Sequence, residues 1–152
     1  MPGTMRIAFG SDPNATDLKE ALMAVAEARG HTAADLGATD PVYAHVATDV
    51  ATAVASGDYD RGVLLCGTGI GVSIAANKVP GAYCALVSDV YSAERAQLSN
   101  NANLISMGAQ TLGLEVAKAL LARYLECEFD PESRSGPKVA AITAFERRSA
   151  SA

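Results

Sequence analysis

The sequence predicts an α/β domain in which a five-stranded parallel sheet carries helices on both faces. Two observations lead there. Short β-type runs alternate with longer helix-type runs along the chain. The core must also be built from Ala, Val, Leu and Ile, because 49% of the residues are hydrophobic but only 5% are aromatic and none is Trp. At 152 residues the chain fits one domain, residues 1–152, since domains commonly run to about 100–150 residues.

The elements follow in order. Met5 to Phe9 reads as the first strand, followed by a turn at Gly10-Ser11-Asp12-Pro13. Thr16 to Arg29 carries Leu18, Ala21, Leu22, Val25 and Ala26 at helical spacing and stops at Gly30. Thr32 to Leu36 is the second strand and Tyr43 to Ala55 the second helix. Arg61 to Cys66 is the clearest strand, and its Val63-Leu64-Leu65 run marks it as central, buried on both faces. A glycine loop then opens a helix reaching Lys78. Ala82 to Val87, Asp89 to Leu98, Asn103 to Met107 and Leu114 to Leu125 continue as strand, helix, strand and helix. Glu126 to Ser135 is polar, and Pro137 to Arg148 reads as a last amphipathic helix through Val139, Ile142 and Phe145, a candidate for docking on a partner subunit.

Charge and cysteines narrow the function classes. A formal net charge of −5, without any long run among the 12 Lys and Arg residues, argues against nucleic-acid binding. Cys66, Cys84 and Cys127 are odd in number and contain no C-x-x-C pair, so neither a disulfide framework nor a zinc site is expected. No apolar run is long enough to cross a membrane, and the start lacks a signal-peptide pattern. The expected compartment is the cytoplasm.

In open parallel sheets ligands bind beyond the carboxyl ends of strands, and the chemistry-bearing residues fall there. The loop Cys66-Gly67-Thr68-Gly69-Ile70-Gly71 follows the central strand. Its glycines allow several N–H groups to be presented toward one point at a helix start, an anion hole. G-x-G-x-G is neither the dinucleotide fingerprint G-x-G-x-x-G nor a triphosphate loop, since Lys78 lies too far on. The loop suits something smaller, such as an enediolate or a carboxylate. Cys66 stands where strand gives way to helix, a position that favours the thiolate and equips it to take a proton. A free Cys is more often a small buried core residue, and Cys84 and Cys127 keep that reading. Thr68 either contacts substrate oxygens or caps the helix. Asp12 either holds sugar hydroxyls or forms an Asx turn before Pro13. His31 reads as inert and His45, near Tyr43, as solvated. Arg134 and Lys138, four apart, form either a solvated helix face or a phosphate ligand pair.

These residues resemble the family of ribose-5-phosphate isomerase B and the galactose-6-phosphate isomerase subunits. The resemblance rests on Ile7 to Asp12, Asp35-Leu36-Gly37, Val54 to Gly57, the run Cys66 to Gly81 with its Ala76-Asn77-Lys78, and Asn101-Ala102-Asn103. It implies a Rossmann-like three-layer sandwich and a homodimer with active sites shared between subunits, or a homotetramer built from such dimers. It also implies isomerisation of a small sugar phosphate through a cis-enediolate, without metal or other cofactor. By resemblance Cys66 shuttles the proton between C1 and C2, Thr68 assists at the substrate oxygens, and the loop amides of Gly67, Gly69, Ile70 and Gly71 hold the enediolate. Asp12, Tyr43 and Asn100 would contact the sugar, and Arg134 and Lys138 the phosphate.

The departures bear on the substrate. Ribose-5-phosphate isomerases of this type usually carry a phosphate-binding His where this chain has Pro13, a ring-opening His at Ser99 and an Arg at Gln110. Ser135 replaces a tail His and Lys138 a second tail Arg. The enolisation centre is retained while ring opening and phosphate capture are altered, so the expected substrate is a related pentose, hexose or tetrose phosphate; one already open-chain, such as a tetrulose phosphate, needs no ring-opening group. An isomerase of unphosphorylated sugars and a non-catalytic subunit are the competing readings.

Overall fold

A computed structural model describes residues 2–37 and 39–151. Its elements are β1 (Arg6–Ser11), a 3-10 turn at Pro13–Ala15, α1 (Thr16–Ala28), β2 (Thr32–Asp35), α2 (Tyr43–Ala55), β3 (Arg61–Cys66), α3 (Ile70–Ala76), β4 (Cys84–Leu86), α4 (Val90–Leu98), β5 (Leu104–Gly108), α5 (Leu114–Glu126) and α6 (Gly136–Ser151). The strands form one parallel sheet in the order β2-β1-β3-β5-β4. Helices α1, α4 and α5 cover one face and α2 and α3 the other, the three-layer sandwich that the alternating pattern predicts.

β3 is buried at all six positions and pairs on both sides, with β1 and β5. Strand pleating sends Val63 and Leu65 into the α1/α5 core and Leu64 and Cys66 into the α2/α3 core. Helix α2 can settle on the sheet because β1 and β3 offer bare backbone beneath it. A Cβ on Gly10 would come within 2.6 Å of Val46 Cγ1, and one on Gly62 within 3.0 Å of Val54 Cγ2.

The amino end of β3 is held by a buried cation. The Arg61 guanidinium, 5% exposed, donates to the carbonyls of Tyr124 (2.8 Å) and Cys127 (2.5 Å) and stacks over the Tyr124 ring at 4.9 Å. Those carbonyls end α5, where helix dipoles leave partial negative charge, so the cation is compensated without a carboxylate. On the other flank the buried Lys19 ammonium of α1 meets Asp35 at the end of β2 at 2.8 Å. Burial pushes the Asp35 carboxyl up, but hydrogen bonds from Lys19 and the Gly37 amide outweigh it and hold the group below its ordinary value.

The edge strand β4 is shorter than the predicted 82–87 because it pairs only with β5. Two asparagines fasten it. Asn77 ends α3 by donating to Ser73 O and Cys84 O while accepting from the Cys84 amide, which stops the helix at Ala76 rather than Lys78. Asn103 accepts from the Tyr83 amide and donates to Gly81 O. Other boundaries also differ, most by a single residue. β1 runs on through Gly10 and Ser11, which pair with Leu64 and Leu65. α6 runs to Ser151 with no buried residue, and its Glu146 accepts from the Gly81 amide and from the Tyr83 hydroxyl. The last helix is therefore tied to its own chain at that point. Among the described residues, no helix is long and apolar enough to cross a membrane.

Replacing Arg61 by Leu strands two buried carbonyls and is expected to cost about 2–4 kcal/mol of unfolding free energy. Urea denaturation measures it; a midpoint equal to that of the unmodified chain would show that Arg61 does not hold β3.

Candidate active site

The chain passes from β1 outward to β2 and back across to β3, so the carboxyl ends of β1 and β3 form the switch point at which open α/β sheets bind ligands. Asp12 leaves β1 there, and its amide donates to Leu65 O. The Cys66 loop leaves β3 beside it. β5 adds Gly108 to Gln110, with the amides of Ala109 and Gln110 donating to Cys66 O and Gly67 O. Tyr43 enters from the start of α2.

Cys66 is buried, 5% exposed, and its Sγ accepts a hydrogen bond from the Gly69 amide at 3.1 Å. That bond needs the left-handed turn at Gly69, φ +79°, where a Cβ would strike the Met107 backbone at 2.8 Å. Ser106 on β5 secures the turn by donating to Gly69 O at 2.9 Å. Thr68 Oγ1 accepts from the Ile70 amide at 3.2 Å, a turn contact just ahead of the helix, whose cap position is Gly69 rather than Thr68, and the exposed hydroxyl proton is left to donate elsewhere. The loop amides thus do not all converge on a ligand: that of Gly69 serves the sulfur and that of Ile70 serves Thr68. The first-turn amides of Gly71 and Val72 have no acceptor within the helix. Burial pushes the Cys84 thiol up to about 11 and raises that of Cys127 as well, in keeping with structural roles for both.

Asp12 makes the Asx turn, Oδ1 accepting from the amides of Asn14 (2.9 Å) and Ala15 (3.1 Å); Oδ2 has no intrachain partner among the described residues. Tyr43 packs across Gly71 so closely that a Cβ there would lie 2.5 Å from its ring. Gln110 lies over Gly67, its Oε1 3.1 Å from a Cβ built there, so the residue that stands where an Arg was expected borders the Cys66 loop. His45 is exposed and pairs with Asp40 at 2.9 Å. His31 accepts from the Met5 amide at 3.0 Å, and burial, with Arg61 and Arg29 nearby, lowers its pKa.

Over nearly the whole length of the chain, the match is to one family. The model described as Ribose/Galactose Isomerase matches residues 7–142. The chain belongs to that family. It is 44% identical over 148 residues to a D-erythrulose-4-phosphate isomerase 2 of Mycolicibacterium smegmatis, covering 93% of this chain and 97% of the relative. It is 40% identical over 148 residues to ribose-5-phosphate isomerase B of Escherichia coli, covering 94% and 97%. Among solved structures, type B ribose 5-phosphate isomerase from Trypanosoma cruzi superposes with a TM-score of 0.90 at 35% identity, covering 96% of this chain and 99% of that one.

Three residues expected in the site of this isomerase lie elsewhere within one chain. Asn100 follows α4 and precedes β5, so it sits at the amino edge of the sheet, whereas Cys66 pairs with Gly108 at the opposite end of that strand. β5 alone spans about 13 Å. Arg134 and Lys138 line a hollow of about 260 Å³ together with Asn100 and Ser99, between α4 and the start of α6. Arg134 precedes α6 and Lys138 lies within it, and both are exposed. The order of elements carried the signal: in a parallel sheet a residue just before a strand lies at the amino edge. One lining residue of the hollow, Arg95 on α4, does not stand out in the sequence, because a single Arg within a surface helix looks like any solvated charge.

Gly71→Ala is expected to push the Tyr43 ring aside and destabilise the fold by about 1–3 kcal/mol. Adding Tyr43→Ala should relieve the clash, so the double variant is less destabilised than the sum of the singles in a denaturation cycle. Strict additivity would contradict the packing.

Proposed function

We propose that this chain is an aldose–ketose isomerase of a small open-chain sugar phosphate, a tetrose 4-phosphate type foremost, with Cys66 transferring the proton. The observation that carries the reading is the Cys66 thiol at the switch point, anchored by the Gly69 amide and flanked by the exposed Thr68 hydroxyl. In the aldose-to-ketose direction the C2–H bond breaks as S–H forms, and the electron pair passes to a cis-enediolate across C1 and C2. The thiol then returns the proton to C1. Meanwhile the O2 proton moves to O1, and the Thr68 hydroxyl stands at those oxygens. Amides at the start of α3 face the developing negative charge, and each well-aimed donor is worth about 3 kcal/mol in such a step.

The tetrose reading is supported by Ser99. A tetrose 4-phosphate carries its phosphate on O4, so that oxygen cannot close a furanose ring, and no ring-opening residue is required. The relatedness to an enzyme named for D-erythrulose 4-phosphate points the same way.

Assaying a panel of aldose phosphates for exchange of the C2 hydrogen with solvent tests the reading. Turnover of at least one member is expected, and Cys66→Ala should lower kcat by at least about a hundredfold. A folded chain that turns over no member, or near-normal turnover by that variant, would defeat it.

The site is shared between two copies of the chain in this reading. Asn100, Arg134 and Lys138 cannot reach their own Cys66, and large apolar side chains stand exposed on α3, α4 and α6: Ile74 is 58% exposed, Tyr91 70% and Phe145 64%. The exposed face of α6 would pack in the same interface. The cytosol is the matching compartment, because all three cysteines are free. Mixing Cys66→Ala and Arg134→Ala variants under subunit exchange should restore about a quarter of the unmodified activity through hybrid dimers with one intact site. No recovery despite hybrid formation, followed by native mass spectrometry, would place each site within one chain.

A further inference from the structure

The hollow between α4 and α6 holds more positive charge than the expected tail ligands supply. Arg95, Arg134 and Lys138 all line it, and no carboxylate does. Among the described residues neither Arg134 nor Lys138 takes part in an ion pair. Arg95 has one acidic neighbour, Glu94 Oε1, at 4.0 Å. That carboxylate is committed elsewhere, since its Oε2 takes both Nε (3.0 Å) and a terminal nitrogen (2.7 Å) of Arg123. Arg123 also holds Glu126, which pairs in turn with Arg29 at 2.8 Å. Two carboxylates thus serve three arginines, and the excess cation falls at the Arg95 end. Glu128 and Asp130 line a neighbouring hollow that Arg95 and Arg134 also border, but among the described residues neither carboxylate comes within ion-pair distance of those arginines.

Arg95 is also oriented. Its Nε donates to Ser99 Oγ at 2.6 Å, one helical turn on. With Nε spent on Ser99, the terminal nitrogens are left for a forked contact with a tetrahedral anion.

Resting on the isomerase reading, we infer that Arg95 is a ligand for the phosphate of the substrate, aimed by Ser99 and completing a three-cation site with Arg134 and Lys138. Arg95 supplies a phosphate contact in a chain that has Pro13 and Gln110 where other phosphate ligands were expected. Ser99, too short to act as the His expected there, takes the role of positioning residue for the guanidinium.

The experiment compares unmodified chain with Arg95→Gln, Arg95→Ala, Arg95→Lys and Ser99→Ala, using the best aldose phosphate of the panel, its unphosphorylated sugar, and inorganic phosphate as the probe anion. Losing one charge-assisted contact should raise KM for the sugar phosphate and the inhibition constant of inorganic phosphate together, by about 10–100-fold. The change in kcat should be much smaller, and kcat/KM for the unphosphorylated sugar should not move. Arg95→Lys should recover part of the loss, and Ser99→Ala should fall between the two. Folded Arg95→Gln and Arg95→Ala variants with unchanged KM and phosphate inhibition would overturn the assignment, as would an equal loss on the unphosphorylated sugar. A separate readout stands apart from turnover: phosphate should raise the melting temperature of the unmodified chain and do so less for Arg95→Gln. If no sugar phosphate is turned over yet this difference persists, the isomerase reading fails and the anion site stands; if phosphate shifts both melting temperatures equally, Arg95 is no ligand.

Discussion

Everything in this molecule is referred to β3, the strand paired on both sides and buried at every position. Its alternating side chains feed both cores, so it cannot shift without opening both layers. Arg61 pins its amino end to the carbonyls at the end of α5. Its carboxyl end is Cys66. The Cys66 thiol is thereby held on the most constrained strand of the sheet, while the hydroxyl beside it, on Thr68, remains exposed. In the proposed reaction, the positional precision of the proton transfer comes from that constraint rather than from any residue of the loop alone.

The surroundings of the loop are built by close approach. Gly69 turns left-handed against the Met107 backbone, Gly71 admits the Tyr43 ring, and Ser106 holds the Gly69 carbonyl. The asparagines of the signature segments act differently. Asn77 and Asn103 fasten β4, and Asn101, at φ 51°, closes α4 in the left-handed conformation while the Ala102 amide reaches back to Ala96 O. Motif residues near a site thus divide into those that face it and those that fix the edge strand and the turns behind it.

Charge is segregated along the same axis. The Cys66 end of the sheet presents a thiol, the Asp12 carboxylate, hydroxyls and backbone amides, whereas Arg95, Arg134 and Lys138 stand at the other end, on α4 and around the start of α6. One copy of the chain therefore separates the Cys66 loop from the α4/α6 cations, and in the proposed function the two meet when a second copy brings its α4/α6 hollow to the first copy's Cys66. Such a division would let Arg95 and Ser99 in the α4/α6 hollow vary while β3 and its loop remain untouched.

The sequence by itself determined the layer architecture, the central strand to the residue, the start and end of α2 and the place of the glycine loop that follows Cys66. These are local properties: strand and helix periodicity, a continuous apolar run, and glycines at fixed spacing. Only the tertiary structure decided that Gly10 and Ser11 belong to β1, that Asn77 ends α3, and that the Gly69 amide serves Cys66 while Asp12 makes an Asx turn. It alone put Asn100, Arg134 and Lys138 at the opposite edge from Cys66 and set Arg95 among them. The reason is geometric: the direction of parallel strands assigns each loop to an edge, and helices α4 and α6, far apart in sequence, gather charges that no window along the chain contains.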